Sequence, residues 1–338
     1  MQAYALYQTL SAAGHDVTFF DHRPPEVVKY YRSKLKGHFA GKEWFRYYQF
    51  HRFIKKEFPL TPFPSGSLRN VNSALSQVDA LIAGSDQIWT TDSASFRGYD
   101  PAFFLNFKIP RHVRRISYAA SAGSSTTFDP HQTEIGRAIN QFHAISVRDE
   151  NTRQLVLSVS GRKPEMVLDP VFLHSFSEIS SRRKLQPSPY IVVYANFLTP
   201  KEREFIHRTS ARLQLPIVNL GPESNLPNQQ QYHHLSPREW LATIRGAQYI
   251  FTSFYHGVLF SLKYNIPFLA FPRKAKSIKI DDVLVRYDLK NHLWEPSNPS
   301  QWQEILEGKQ LKLAKERIEK DAAFSKSFLL EKLTQTTH

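Results

Sequence analysis

Short apolar runs alternate along this chain with longer amphipathic segments. Runs at 80–83, 115–120 and 143–147 are each followed by polar residues or glycine, which is typical of buried parallel strands. Beyond residue 189 the pattern predicts strands at 190–194, 216–220, 249–252 and 267–271, with helices at about 201–213, at 237–245 and from Gly257. This alternation predicts an α/β fold with two parallel sheets.

The remaining segments predict how the sheets are divided between domains. The opening residues predict a helix closed by Gly14 and then a strand at 17–20, which is half of a βαβ unit whose first strand we expect to be missing. Residues 24–76 are rich in aromatic and basic residues and predict an insertion or lid, whereas Ser, Arg, Lys and Pro near 174–189 are typical of a linker. We predict an N-terminal domain at 1–175, a linker at 176–189, a C-terminal domain at 190–310, and a helix at 311–338 that packs back on the first domain.

Composition limits the chemistry that this fold can carry. The 338 residues are 41% hydrophobic and 22% charged, and the formal charge of +14 favours an anionic partner. Because the basic residues form no long tract, we expect no nucleic-acid arm. The absence of cysteine excludes disulfides, a thiolate nucleophile and cysteine-based metal sites. No long apolar run or signal-peptide pattern is present, so we expect a cytoplasmic enzyme.

Polar residues follow the strand at 80–83, where ligands bind in doubly wound sheets. Ser85, Asp86 and Gln87 offer hydrogen-bonding groups, and the indole of Trp89 offers a flat apolar surface that suits a sugar ring. The alternative is a helix start, with Ser85 or Asp86 as the N-cap and Trp89 in the core.

Two further strand ends carry weaker signals. Around Tyr118 and Ser121, small residues leave space either for a ligand or for a tight strand-to-helix crossing. Arg148 follows the strand at 143–147 and is suited to bind a carboxylate or phosphate, although pairing with Asp149 or Glu150 is the alternative.

The fourth strand end leads to His256 and Gly257. A helix N-terminus suits an anion, and histidine can exchange a proton near neutral pH. A structural histidine is the alternative, but its place between a strand and a helix favours a function.

These motifs, in this order, resemble the polysaccharide pyruvyl transferase family. The resemblance rests on six segments: Gln-Ala-Tyr-Ala-Leu from Gln2, Gly-Ser-Asp-Gln-Ile-Trp from Gly84, Ser-Tyr-Ala-Ala-Ser from Ser117, Ser-Val-Arg-Asp from Ser146, Leu-Asp-Pro-Val-Phe-Leu from Leu168, and His256-Gly257. It implies a glycosyltransferase-B-like pair of Rossmann-like domains, and transfer of pyruvate from phosphoenolpyruvate to a saccharide as a cyclic ketal, in cell-surface or exopolysaccharide biosynthesis. It implies no nucleotide cofactor. The sequence has no obvious Asp-x-Asp metal site, so we also expect no metal.

The resemblance also implies residue roles. His256 is the candidate acid, and Gly257, Ser253 and Tyr255 surround the expected phosphate position. Some family members carry an arginine where this chain has Phe254, so Arg148, Arg273 or Lys276 is expected to contact phosphoenolpyruvate instead. The acceptor is assigned to Ser85, Asp86, Gln87, Trp89, Tyr118 and Ser121.

Two other functions stay open on the same architecture, because fold alone does not separate them. One is a nucleotide-sugar glycosyltransferase, and the other is an inactive saccharide-binding or scaffold protein. Aromatic residues within 24–60 leave peripheral contact with a membrane or a lipid-linked saccharide open, although a lid that packs on its own domain is the favoured interpretation. The sequence does not assign an oligomeric state.

Overall fold

The chain divides into two compact units in a computed structural model. The first comprises residues 1–40, 54–174 and 321–338, and the second comprises residues 41–53 and 175–320. The structure describes residues 1–34, 40–61, 75–91, 98–179, 189–222, 226, 229–232, 234–271, 273, 277–298 and 301–334. The predicted linker falls largely on 180–188, outside these residues.

The first unit is built on a four-stranded parallel sheet of order β1-β2-β3-β4. Its strands are β1 (Ala80–Asp86), β2 (Arg114–Ala120), β3 (Ala144–Val147) and β4 (Glu165–Met166), and its helices include α1 (Gln2–Ala12), α2 (Pro25–Lys34), α4 (Gln132–Ile139) and α5 (Glu150–Ser160), while α3 (Ala40–Glu57) is shared with the second unit. The expected strand at 17–20 is wrong, since only Phe19 forms a bridge, with Leu60.

The second unit is built on a five-stranded parallel sheet of order β7-β6-β5-β8-β9. Its strands are β5 (Ile191–Tyr194), β6 (Ile217–Asn219), β7 (Gln229–Gln231), β8 (Tyr249–Thr252) and β9 (Phe268–Ala270). Helices α6 (Pro200–Leu213), α7 (Pro237–Arg245), α8 (Tyr255–Tyr264), α9 (Ser277–Arg286) and α10 (Gln301–Glu307) belong to the same unit, and α11 (Lys309–Thr334) passes from it into the first.

Local sequence signals fix several helix ends. Thr199 with Glu202, and Ser236 with Glu239, form capping boxes at the starts of α6 and α7, and each helix has proline in its first turn. Gly161 ends α5 in the left-handed conformation, with a φ of 67°. These helices cover apolar strands, so each unit has its own buried core.

Residues 321–334 of α11 complete a core within the first unit. Leu329 is fully buried in a cluster with Leu10, Tyr118 and Val167. The hydroxyl of Ser325, which is also buried, accepts a hydrogen bond from the Leu168 amide at 2.9 Å.

Candidate functional site

The carboxyl ends of the first sheet lie in one row. Asp86 pairs with Ala120, Ala120 pairs with Val147, and Val147 pairs with Met166. Side chains that follow these positions therefore meet at one edge of the sheet, which is where ligands bind in folds of this kind.

Arg148 lies at the centre of this edge, and its contacts form what we call the arginine network. Its Nη1 contacts Asp169 Oδ2 at 2.6 Å, and its Nη2 contacts Asp86 Oδ1 at 3.0 Å. Gln2 Nε2 donates to Ser85 Oγ and to Asp169 Oδ2, both at 2.7 Å. The network holds one cation between two carboxylates and links four of the sequence motifs.

The two carboxylates differ in exposure. The Asp169 side chain is 1% exposed, whereas that of Asp86 is 55% exposed. Ser85 and Asp86 have φ angles of 42° and 66°, in the left-handed region that side chains rarely adopt. This strained end of β1 presents the Asp86 carboxylate to solvent while the buried Arg148 guanidinium binds its other side.

The burial of Arg148 corrects its predicted role as a ligand for phosphoenolpyruvate. Its side chain is 1% exposed and is already bound to two carboxylates, so it is not accessible to an anionic substrate. Of the two acids named in the alternative of local pairing, Asp149 caps α5 through the Thr152 amide, and Glu150 pairs with Arg153.

Trp89 is a core residue and not a surface for a sugar ring. It is fully buried and stacks on Phe104 at 5.5 Å between ring centroids, and its Nε1 donates to the Phe103 carbonyl at 2.9 Å. The alternative placement of Trp89 in the core is therefore the correct one, although the described residues 87–91 form no helix that Ser85 or Asp86 could cap.

Tyr118 and Ser121 are likewise removed from the acceptor set by burial, since neither is exposed to solvent. The Tyr118 hydroxyl donates to the Leu168 carbonyl at 3.1 Å, and burial raises its pKa. Ser121 Oγ accepts from the Gly123 amide at 3.1 Å, which stabilises a turn. Of the six predicted acceptor residues, Asp86 and Gln87 keep side chains that are at least partly exposed.

His256 lies in the second unit, in the first turn of α8, where it is partly exposed. The turn before it is held by Thr252, whose Oγ1 accepts from the Phe254 amide at 3.0 Å and donates to the Tyr194 carbonyl at 2.7 Å. A Cβ added to Gly257 would lie 2.1 Å from Thr252 Oγ1. Glycine therefore allows the start of α8 to lie against the end of β8.

Two residues that were predicted to bind phosphoenolpyruvate instead stabilise the loop at Asn196, just beyond β5. Arg273 makes a two-point ion pair with Glu202, at 2.9 and 3.1 Å, and also donates to the Asn196 carbonyl. Ser253 is 1% exposed, and its hydroxyl donates to Asn196 Oδ1 at 3.0 Å and accepts from the Asn196 amide. Because these groups are already engaged, we assign both residues to positioning this loop.

Three other residues belong to the predicted donor site or its surroundings. Tyr255 is partly exposed beside His256, with ring centroids 5.6 Å apart. Phe254 fills the position of the expected arginine and packs on Tyr194 at 4.5 Å. Lys276 lies outside the residues that the structure describes.

Sequence reasoning missed four residues that shape these sites. Gln2 and Asp169 occur in motifs that carried the resemblance, but neither was assigned a role. Glu202 lies in the predicted helix at 201–213 and had no other role, whereas Asn196 lies two residues beyond the predicted strand at 190–194, which is a usable signal.

Each site has a distinct chemical capacity. In the first unit, Asp86 can accept a hydrogen bond or a proton from a hydroxyl. In the second, an imidazole in the first turn of α8 lies in the positive field of the helix dipole, which favours a nearby anion. Among the described residues, no group of three or more His, Asp or Glu side chains is arranged to hold a metal ion. No helix in the described ranges has the length and apolarity needed to cross a bilayer.

Comparison with solved structures agrees with the architecture. A putative UDP-N-acetylglucosamine 2-epimerase from Listeria monocytogenes aligns over 96% of this chain and 98% of its own, with a TM-score of 0.53 and 9% identity. Spinosyn forosaminyltransferase SpnP aligns over 99% and 96%, with a TM-score of 0.50 and 14% identity. At such identities the likeness shows the fold alone, and it confirms the predicted glycosyltransferase-B-like class with two Rossmann-like sheets.

Sequence comparison identifies the family. No curated protein has a significantly similar sequence. The sequence profile described as polysaccharide pyruvyl transferase matches residues 1–274, a span that holds both the arginine network and the turn at His256. The chain therefore belongs to the polysaccharide pyruvyl transferase family.

Proposed function

We propose that this protein transfers pyruvate from phosphoenolpyruvate to two hydroxyls of a saccharide, which forms a cyclic ketal and releases phosphate. One proton is added to the methylene carbon, which becomes a methyl group, and the enol carbon gains two bonds to saccharide oxygens as its bond to the phosphate oxygen breaks. The two saccharide hydroxyls release two protons. One replaces the proton that was added to the methylene carbon, and the other leaves with phosphate. The donor supplies the reactive group, so the proposal includes no cofactor.

The observation that supports this proposal most is the position of His256 in a chain of this family. Protonation of the enol requires an acid, and a positioned side chain typically accelerates such a step by about 10²–10⁴-fold. His256 is partly exposed on a turn fixed by Thr252 and Gly257. We assign the imidazolium as the acid that protonates the methylene carbon.

The start of α8 is the proposed position of the phosphate. A helix N-terminus offers backbone N–H groups and a partial positive charge that stabilises a leaving anion. Tyr255 and Gly257 lie in this first turn. Arg273 and Ser253 support it indirectly through Asn196, and Lys276 remains a proposed contact for the donor.

Asp86 is the proposed contact for the saccharide acceptor. Its carboxylate can accept a hydrogen bond from a sugar hydroxyl while Arg148 holds it on the opposite side. Gln87 adds an amide beside it. We place the reaction in the cytoplasm and in the biosynthesis of a cell-surface or secreted polysaccharide.

The test compares His256→Asn with His207→Asn, which changes an exposed histidine on α6. With phosphoenolpyruvate and a panel of bacterial saccharides, phosphate release and the ketal methyl signal in NMR should fall by about 10²-fold or more in His256→Asn. His207→Asn should match the parent protein.

Two results would overturn the proposal. Turnover of a nucleotide sugar without turnover of phosphoenolpyruvate would indicate a glycosyltransferase. Saccharide binding without turnover of either donor would indicate a binding or scaffold protein.

A further inference from the structure

Helix α3 exposes aromatic residues that the proposed function does not use. Five large apolar side chains are between 38% and 56% exposed: Trp44, Tyr47, Tyr48, Phe50 and Ile54. We call this set the aromatic face of α3. Large contiguous apolar surfaces are uncommon on folded proteins and usually mark a contact with another molecule or a membrane.

The members of this face lie on one side of the helix. A helix turns by about 100° per residue, so one row of neighbouring positions on this side contains Trp44, Tyr47, His51 and Ile54. Trp44 meets Tyr47 edge-on at 6.0 Å, and Tyr47 stacks on His51 at 5.8 Å with an interplanar angle of 8°. These rings form a continuous surface.

The helix is anchored on its other side. Phe53 is 8% exposed and lies about 180° around the helix from Trp44. Phe45 is itself 49% exposed and contacts the His234 ring edge-on at 6.0 Å. The aromatic face is therefore not the face by which α3 is held.

The charge of the helix favours an anionic partner. Residues 40–57 contain five basic residues and two glutamates, within a chain of formal charge +14. Arg52 and Lys56 lie beside the aromatic face and Lys55 lies within it, near the C-terminal end of the helix, and all three are exposed. A second copy of this chain would bring like charges together, which costs free energy.

We propose that α3 binds the surface of an anionic lipid bilayer, with its aromatic face in the headgroup region and its basic residues against the lipid phosphates. Tryptophan and tyrosine favour this region because each has an apolar ring and a polar group. A basic amphipathic helix with aromatic residues is typical of helices that lie in the plane of the interface. This inference goes beyond pyruvyl transfer and is tested without turnover.

The first experiment measures cosedimentation with vesicles of phosphatidylcholine alone and of phosphatidylcholine with one third phosphatidylglycerol. The parent protein should bind the anionic vesicles, and added salt should weaken this binding. Trp44→Ser with Tyr48→Ser should weaken it by about tenfold or more, since each ring loses its burial in the interface. The control, Leu313→Ser with Phe324→Ser, removes two exposed apolar side chains from α11 and should bind like the parent.

A second pair of variants tests the charges. Lys55→Gln with Lys56→Gln should weaken binding by about tenfold or more, because each basic residue at an anionic surface contributes about fivefold. Lys312→Gln with Lys320→Gln makes the same change of charge at exposed positions on α11 and should have a smaller effect. Anionic vesicles should also shift the tryptophan emission to the blue, and Trp44→Phe should abolish this shift while it preserves binding.

Three results would overturn the inference: no binding of the parent protein to anionic vesicles, equal binding by the aromatic and control variants, or a dimer in sedimentation velocity that the aromatic variant converts to a monomer. Circular dichroism should show that all variants fold, since the changed side chains are exposed.

Discussion

At the scale of single residues, Arg148 shows how burial determines what a charge can do. Its ion pair with Asp169 joins two side chains that are each 1% exposed. Charges removed from water are costly unless they are paired. The arginine therefore stabilises the end of β1 that carries Asp86, and the protein itself supplies the anions that Arg148 binds.

Removal of this cation should destabilise the fold. Arg148→Ala leaves a buried carboxylate without its charge partner, so we expect the free energy of unfolding in urea to fall by about 3–5 kcal/mol. The matched control is Arg153→Ala, which breaks a pair with Glu150 whose side chains are 27% and 44% exposed, and it should change stability by less than about 1 kcal/mol. Equal losses in the two variants would show that the arginine network does not stabilise the fold.

Lys263 gives a prediction for pH dependence. Burial lowers the pKa of its ammonium group from 10.5 to about 8. The ammonium lies 5.3 Å from the centroid of the Phe176 ring, a contact that favours the charged form but does not offset the burial. Between pH 8 and pH 10.5 the unfolded chain binds more of this proton than the folded one, so the contribution of Lys263 to stability rises with pH. Below pH 8 the buried ammonium group is charged, and its burial then destabilises the folded state to the full extent.

Lys263→Met should remove this dependence. At neutral pH the variant should be more stable than the parent by up to about 3 kcal/mol, and the difference should disappear towards pH 10.5. Urea unfolding of both proteins across this range measures it. A stability difference that stays constant with pH would contradict the lowered pKa.

At the scale of elements, hydrophobic pattern predicted the strands that are buried and missed those that are polar. The apolar runs at 80–83 and 249–252 became β1 and β8, and the helix at 237–245 has the predicted bounds. The strand β7 consists of three glutamines, and β4 of Glu165 and Met166. Such strands are defined by backbone pairing with a neighbour, which no pattern of side chains records.

Helix α11 carries a matched pair of leucines that test its packing. Leu329 is fully buried in the first unit, and Leu313 is 69% exposed in the second. Leu329→Ala should lower the free energy of unfolding by about 2–5 kcal/mol and speed hydrogen exchange in β2, because it leaves a cavity beside Tyr118. Leu313→Ala should change stability by less than about 0.5 kcal/mol. Similar effects of the two changes would contradict the packing of this helix.

At the scale of the whole molecule, the order of strands and helices along the chain predicted the architecture, but it did not predict which side chains contact each other. Gln2 and Asp169 are 167 residues apart and share a hydrogen bond. The motifs identified the strand ends, and the rule for parallel sheets placed them at one edge. Whether a side chain at that edge is exposed depends on how its neighbours pack, which the sequence does not reveal. The sequence therefore predicted ligand contacts for Trp89, Tyr118 and Arg148, which lie in the interior.

The hydrogen bond between Leu168 and Ser325 has a consequence for folding during synthesis, because its two residues leave the ribosome at different times. Its partners are 157 residues apart, and Ser325 and Leu329 complete the core of the first unit. A ribosome that adds about 5–20 residues per second translates the whole second unit before these residues are available. During that interval the apolar surface that Leu329 covers in the first unit is exposed, and transiently exposed apolar surface of this kind favours aggregation.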